Sequence, residues 1–217
     1  DDYIREAFGL GDTSNFNLKV AREKIAKDQD WEDAITQILY RPFDVRWIFY
    51  HDELVERSRK EVMQHMMHEN PGLITVRQVA EGVFDHAYVA NTVVESRITL
   101  SNKGIAYIFP LYIFKEKETS KKGLSSSTLM MLFEPQAEYE VKRPNLSPKL
   151  LAQLKASYKK APTPEEIYYY IYAVLYSNTY RTKYAEFLKT DFPRVPFTKD
   201  FELFRKLSKL GVRLVSL

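Results

Sequence analysis

The sequence predicts an α+β chain in which a central twisted sheet, mixed or antiparallel, lies between N-terminal connector helices and a C-terminal helical subdomain. Two changes of pattern along the 217 residues predict this fold class. Residues 1–39 and 146–217 carry apolar side chains at helical spacing, whereas 40–145 carries short β-branched and aromatic runs between polar breaks. These three segments are the predicted helical connector, the β-rich core and the C-terminal helical subdomain.

Two helices are predicted in the connector. The first begins after Asn17, and the second begins after Asp30, with Asp33 three residues later in the capping-box position. The second helix ends before Pro42, because the residue that precedes a proline disfavours helical geometry. Its apolar stripe consists of Trp31, Ala34, Ile35, Ile38 and Leu39.

Short apolar runs in the β-rich core predict its strands. These runs are 45–50, 73–79, 83–90, 92–100, 105–114 and 128–133. One helix interrupts them at about residues 59–68. Asn70-Pro71-Gly72 and Asn102-Lys103-Gly104 are turn signals, and the polar residues 115–127 predict a loop.

Clear start signals mark the helices of the C-terminal subdomain. Ser147 precedes a proline, and Thr163-Pro164-Glu165-Glu166 is a capping box with a proline in the first turn. The apolar residues 167–175 surround the second of these helices almost completely, which predicts that it is buried. Gly211 is a candidate C-terminal cap for the last helix.

Composition excludes several classes of protein. The chain has no cysteine, which excludes disulfides and thiolate metal sites and favours a reducing compartment, for which we expect the cytoplasm. No apolar run approaches the roughly 20 residues that span a bilayer. Because the chain begins at Asp1 rather than at methionine, we expect it to come from a longer protein.

Charge is distributed unevenly around a net value of +3. Residues 1–39 hold 5 basic and 9 acidic side chains, 40–145 hold 14 of each, and 146–217 hold 13 basic and 6 acidic. A polyanionic partner would therefore prefer the C-terminal third or local basic clusters. On charge alone, an ordinary solvated lysine-rich helical surface explains the distribution better.

Catalytic motifs are absent from the sequence. It contains no glycine-rich phosphate loop, no Gly-x-Ser-x-Gly elbow, no His-Glu-x-x-His zinc motif and no Asn-Pro-Pro-Tyr-like segment of an adenine methyltransferase. His65 and His68 are three residues apart and could share a metal ion, but exposed polarity on a helix explains them better. The sequence thus predicts no catalytic residue, no metal site and no cofactor in this chain.

Three basic clusters remain as candidates for nucleic-acid contact. In 41–47, Phe43, Val45 and Trp47 are expected to face a core, and pairing of Arg41 and Arg46 with carboxylates is as plausible as DNA contact. The second cluster is 56–60, Glu-Arg-Ser-Arg-Lys, just before a helix. The third is 75–78, Thr-Val-Arg-Gln, whose arginine and glutamine suit guanine and adenine edges in the major groove. The alternative for the second cluster is a solvated helix start, and for the third it is an exposed strand face, which the sequence alone favours.

Five segments occur in an order that resembles a known family. They are YRPFDVRWIFYHDELVERSRKEVMQHM at 40–66, GLITVRQV at 72–79, SNKGIAYIFPLYIF at 101–114, KRPNLSP at 142–148 and TPEEIYYYIYAVLYSNTYRTKYAEFLKTDFPRVPFT at 163–198. Together they resemble the C-terminal specificity region of single-chain restriction-modification enzymes, the type ISP and related type IIG adenine methyltransferases. The resemblance covers roughly residues 40–217.

The resemblance implies a target-recognition domain for double-stranded DNA, with 40–145 as its recognition core. In the parent enzyme, an upstream domain of the same polypeptide would bind S-adenosylmethionine and methylate adenine N6. Some members of the family also carry a nuclease or a translocase upstream. The side chains that we expect to contact DNA are Arg57, Arg59, Lys60, Arg77, Gln78 and Lys103.

An alternative from another class is a structural or protein-interaction domain. Such a domain would dock a partner through the tyrosine-rich helix at 168–176. DNA binding should weaken steeply as salt rises, which would distinguish the two interpretations.

Overall fold

The computed structural model describes residues 2–9, 11–13, 16–55, 57–79, 82–99, 105–114 and 142–217. Helices and strands both occur, so the expected α+β class is confirmed. The helices are α1 (Asp2–Phe8), α2 (Leu18–Ile25), α3 (Lys60–Met63), α4 (Pro148–Tyr158), α5 (Pro164–Tyr176), α6 (Asn178–Lys183), α7 (Ala185–Thr190) and α8 (Phe201–Val215). The strands are β1 (Ile35–Arg41), β2 (Asp44–Phe49), β3 (Gly72–Val76), β4 (Ala87–Ala90), β5 (Val93–Val94), β6 (Ala106–Pro110), β7 (Tyr112–Phe114) and β8 (Lys142–Pro144).

The helix predicted after Asp30 is wrong. Asp30 makes no side-chain cap, a short 3₁₀ turn follows at Trp31–Ala34, and the chain then enters strand β1. β1 pairs antiparallel with β2, so that Ile35 lies opposite Phe49 and Leu39 lies opposite Val45. Because Ile35, Thr36 and Ile38 are β-branched, the segment suits a strand once a partner strand is available.

The strands form three small sheets rather than one continuous sheet. Their orders are β2-β1-β5, β4-β3-β6 and β7-β8, and every pair is antiparallel except β1 with β5. Several predicted strands are shorter than expected: 83–90 is reduced to β4, 92–100 is reduced to β5, and 105–114 is divided into β6 and β7 at Leu111. The strand predicted at 128–133, the turn at 102–104 and the loop at 115–127 lie outside the described residues.

Apolar side chains of β3 and β4 pack into cores on both faces of their sheet. Leu73 and Val89 pack against the large core that the C-terminal helices form. Ile74 and Ala90 face the opposite way, into a smaller core that Leu39 completes from β1. Much of β3 and β4 is therefore buried, whereas Tyr107 and Phe109 of β6 are exposed.

The C-terminal helices follow their predicted start signals. Pro148 opens α4, although the Ser147 side chain makes no cap, and Thr163 and Glu166 complete the predicted capping box of α5. The predicted burial of α5 is confirmed, because seven of its 13 residues are buried.

Gly211 does not end a helix as predicted, because it lies inside α8. A Cβ atom at this position would lie 2.0 Å from the backbone oxygen of Tyr169 on α5. The missing side chain therefore allows the two helices to pack backbone against backbone.

None of the helices in the described part of the chain is both long enough and apolar enough to cross a membrane.

Candidate nucleic-acid interface

The second basic cluster forms a tight turn that displays two arginines. Arg57 and Arg59 have φ angles of 61° and 54°, the left-handed region that side-chain-bearing residues seldom adopt. A residue in this region is destabilised by roughly 1–2 kcal/mol relative to right-handed backbone geometry. Both side chains are exposed, and among the described residues neither guanidinium has an ion-pair partner. Backbone strain of this kind is concentrated at functional sites in proteins.

We call residues 57–60 the arginine turn. Contacts to Ser58 and Lys60 hold this turn in place. Tyr50 donates its hydroxyl to the carbonyl oxygen of Ser58, and burial raises the pKa of Tyr50 to about 12, which keeps it protonated. The Ser58 hydroxyl and the Lys60 ammonium both donate to Asp52, at 3.0 Å each. The bond from Lys60 lowers the pKa of Asp52 below its usual value, so the carboxylate stays ionised. Much of the charge of Lys60 is therefore neutralised, whereas Arg57 and Arg59 present theirs to solvent.

Arg77 and Gln78 lie together just beyond the end of β3, and both are exposed. The Arg77 Nε atom lies 3.3 Å from the Asp191 carboxylate, a long ion pair between two largely exposed groups. Such pairs contribute little to stability, so a phosphate could replace the carboxylate. The Val79 amide donates to the carbonyl oxygen of Lys189 at 3.2 Å, which ties this end of β3 to α7.

The six predicted contact residues thus fall into separate groups. Arg57, Arg59 and Lys60 share the arginine turn, Arg77 and Gln78 share the end of β3, and Lys103 lies outside the described residues. Their predicted roles in base readout and phosphate binding stay predictions.

The hairpin of β1 and β2 differs from its expected packing. Phe43 and Trp47 were expected to face a core, yet Phe43 is 100% exposed at the tip and Trp47 is 71% exposed. Val45 is also exposed, so the expectation that this face of β2 is buried is wrong. The sequence showed which residues share a face but not that the described chain leaves that face uncovered.

The two arginines of the hairpin are paired within the domain. Arg41 lies 2.8 Å from Glu95, and Arg46 lies 2.7 Å from Asp44. Both guanidinium groups also lie over the Tyr40 ring, at 4.0 and 4.1 Å from its centroid. Of the two interpretations left open for these residues, the structure contains the pairing with carboxylates.

His65 and His68 are structural, and their interpretation as exposed helix polarity is wrong. His65 is buried, and its Nδ1 atom accepts a hydrogen bond from the Phe114 amide at 3.3 Å. His68 stacks on the Phe114 ring, with centroids 4.3 Å apart. Burial, and then the nearby His68 and Arg143, lower the pKa of His65 and favour the neutral ring. Within the described ranges, no group of three or more ligand-type side chains could hold a metal ion.

The family of the chain is established by its match to the type ISP C-terminal specificity domain over residues 2–217. This chain belongs to that family. The expectation from the sequence is confirmed and extends to the N-terminal residues, which lay outside the roughly 40–217 covered by the resemblance. No curated protein matches the chain.

Two solved structures share the fold of this specificity domain. One is the cryo-electron-microscopy structure of a DrdV–DNA complex, with a TM-score of 0.68 and 21% identity over 95% of this chain and 18% of that chain. The other is a nuclease-deletion mutant of the type ISP restriction-modification enzyme LlaGI in complex with a DNA substrate mimic. Its TM-score is 0.55, with 19% identity over 88% of this chain and 14% of that chain. The specificity domain therefore spans less than a fifth of either protein.

Proposed function

We propose that this specificity domain recognises a sequence in double-stranded DNA on behalf of a larger N6-adenine methyltransferase or restriction-modification enzyme. Membership of the family supports the role in specificity. Two solved proteins that share its fold are in complex with DNA or with a DNA substrate mimic, which supports DNA as the ligand. In this proposal the upstream methyltransferase domain of the same polypeptide binds S-adenosylmethionine, and the specificity domain contributes no catalytic group.

The observation that carries the proposal within this chain is the arginine turn. Two exposed guanidinium groups extend from a strained backbone that Asp52 and Tyr50 hold in one conformation. Because the turn is already ordered, less conformational entropy is lost when the arginines bind. Arginine offers a planar donor fork that matches the O6 and N7 atoms of guanine or two oxygens of a phosphate.

The remaining predicted residues divide between two roles. Arg57, Arg59, Arg77 and Gln78 read base edges in the major groove, and Lys60 and Lys103 bind phosphates. Phosphate contacts fix the position of a protein on the duplex, whereas contacts with base edges distinguish one sequence from another. For Lys60 and Arg77 this requires DNA phosphates to compete with Asp52 and Asp191.

The N-terminal segment connects the specificity domain to the methyltransferase domain in this proposal. Strand β1 pairs with β2 across the predicted boundary after residue 39, so the connector ends before Ile35. The compartment proposed for the enzyme is the cytoplasm.

Binding to a random-sequence duplex pool, followed by sequencing of the bound fraction, tests the proposal. We expect the domain to enrich one motif and the Arg57→Ala/Arg59→Ala variant to enrich a degenerate one, with roughly 1–3 kcal/mol of discrimination lost per arginine that reads a base. The Lys60→Ala variant should keep the motif and bind more weakly at every sequence.

Lys19→Ala is the matched control, because Lys19 is exposed on α2, within the acidic N-terminal segment. It should leave both the motif and the affinity unchanged. Fluorescence anisotropy at increasing salt should also show a steep loss of binding. A duplex affinity that does not depend on salt, or an unchanged motif in the double arginine variant, would contradict the proposal.

Docking of a protein partner through the tyrosine-rich helix is disfavoured by the fold. Tyr170 and Tyr172 of α5 lie in the large core and Tyr168 is also buried, whereas Tyr176 at the end of the helix is exposed. The three buried side chains could reach a partner only if the subdomain opened.

A further inference from the structure

One side of helix α8 carries four cations. Arg205, Lys209 and Arg213 follow one another at intervals of four residues, which places them on the same side of the helix. Lys206 lies three residues before Lys209 and shares that side. All four side chains are exposed, whereas the buried residues of α8 lie on its other side, toward α5. The helix has a single acidic residue, Glu202, in its first turn, so this side of α8 is strongly basic.

The end of helix α4 extends this basic surface. Three exposed lysines lie there, namely Lys155, Lys159 and Lys160, and α4 contains no acidic residue. The ring of Tyr158 on α4 lies 5.3 Å from the ring of Phe201 on α8, centroid to centroid. The Arg205 guanidinium lies over the same Phe201 ring, at 6.0 Å from its centroid. The two groups of cations are therefore adjacent, and we call these seven residues the basic band.

No cation of the basic band has an ion-pair partner within the described residues. Several exposed cations elsewhere on the domain do have one, as in the pairs of Lys24 with Glu53 and of Lys189 with Glu186. The charge of the basic band is therefore available to an anionic ligand.

The basic band also carries features that disfavour folding. Arg205 and Lys209, and likewise Lys209 and Arg213, are like charges four residues apart, an arrangement that destabilises a helix. Lys159 ends α4 with a φ of 56°, the left-handed geometry that glycine usually supplies at this position. Because neither feature helps the chain to fold, we look to ligand binding for their explanation.

The spacing of the basic band suits the phosphates of duplex DNA. From Arg205 to Arg213 the helix rises by about 12 Å. Over that length one strand of B-DNA carries about three to four phosphates. Cations that neutralise phosphates release the counterions of the duplex, and this contribution to affinity does not depend on sequence.

We propose that the basic band binds the phosphate backbone of duplex DNA independently of sequence, outside the base pairs that the arginine turn contacts. This inference rests on the proposed function, which makes duplex DNA the ligand of the domain. The basic band contributes affinity, whereas the arginine turn and the end of β3 select the sequence.

A variant that lacks four of the charges tests the basic band in the 217-residue chain, namely Arg205→Gln/Lys206→Gln/Lys209→Gln/Arg213→Gln. Glutamine keeps a long polar side chain and a good helix propensity. The matched control is Lys19→Gln/Arg22→Gln/Lys24→Gln/Lys27→Gln, which removes the same charge from exposed residues of the acidic N-terminal segment. The two variants have the same net charge, so a difference between them reports on where the charge lies.

We expect the band variant to bind a random-sequence duplex about tenfold or more weakly than the control variant at low salt, measured by fluorescence anisotropy. The slope of log affinity against log salt should become shallower by about two to four, since each phosphate contact contributes about one. From a random-sequence pool, the band variant should enrich the same motif as the wild type. It should unfold at the same or a higher temperature, because the like-charge pairs are gone.

Equal affinity and equal salt slope in the band variant and the control variant would overturn the basic band as a DNA-binding surface, as would a changed motif in the band variant. Weaker binding of the band variant to phosphatidylserine vesicles, with its duplex binding unchanged, would also overturn it and assign the surface to a membrane.

Failure of the proposed function gives a different result. In that case the wild type binds duplexes through the basic band, with the expected difference between the two variants, but enriches no motif. Absence of duplex binding by the wild type would refute both proposals.

Discussion

Aromatic side chains serve opposite purposes in the C-terminal subdomain and in the β1–β2 hairpin. In the subdomain, Tyr158, Tyr170 and Tyr180 are buried, and each donates its hydroxyl to a backbone carbonyl of residues 194–198. In the hairpin, Phe43 and Trp47 point into solvent. The difference follows from the presence of a second layer of structure, because an aromatic ring is buried only where another element covers it.

The buried tyrosines also explain how an irregular segment becomes part of the core. Residues 191–197 form no helix or strand, yet two phenolic hydroxyls donate to carbonyl oxygens within this segment and a third donates to that of Thr198. Burial raises the pKa of Tyr158 to about 12, so this hydroxyl remains a donor at neutral pH. The same segment positions Asp191 beside Arg77.

The largest expected effect is a loss of stability when a buried ring of the C-terminal subdomain is removed. Phe204 is 0% exposed and stacks on Tyr170 with centroids 4.9 Å apart. Phe204→Ala should lower the free energy of unfolding by about 3–5 kcal/mol, because it leaves a cavity in the core. Trp47→Ala in the hairpin should change it by less than about 0.5 kcal/mol. Urea denaturation measures both, and comparable losses would refute the contrast between the regions.

A smaller loss of stability is expected where α5 and α8 are in backbone contact. Gly211→Ala places a Cβ atom 2.0 Å from the Tyr169 oxygen, so the helices must separate. We expect a loss of about 1–3 kcal/mol, despite the better helix propensity of alanine. In Ser216→Ala, at the exposed end of α8, the melting temperature should stay within about 2 °C of the wild type. An unchanged melting temperature in Gly211→Ala would mean that the two helices are not in backbone contact.

The smallest effect concerns the tip of the hairpin and has the opposite sign. Phe43 has a φ of 66° and no side-chain packing to compensate for it. Phe43→Gly should stabilise the domain by about 0.5–1 kcal/mol, because glycine adopts this geometry without strain. Phe43→Ala keeps the strain and serves as the control. A loss of stability in Phe43→Gly, measured by urea denaturation, would indicate that the ring packs in solution.

The candidate interface was predicted in part. The arginine-rich run 56–60 and the pair Arg77–Gln78 could be recognised because arginine and glutamine are residues that read base edges. The left-handed geometry of Arg57 and Arg59 could not, because nothing in the residue types requires it.

The sequence by itself determined the α+β class, the helices of the last third, the family and the residue types available for DNA contact. These depend on local patterns, such as a capping box, a proline in a first turn or an apolar stripe, that act within a few residues. Only the tertiary structure decided that 35–41 is a strand, that Gly211 lies within a helix contact and that the hairpin aromatics stay exposed. Each of these depends on which distant segment is present as a partner, and local spacing carries no information about that.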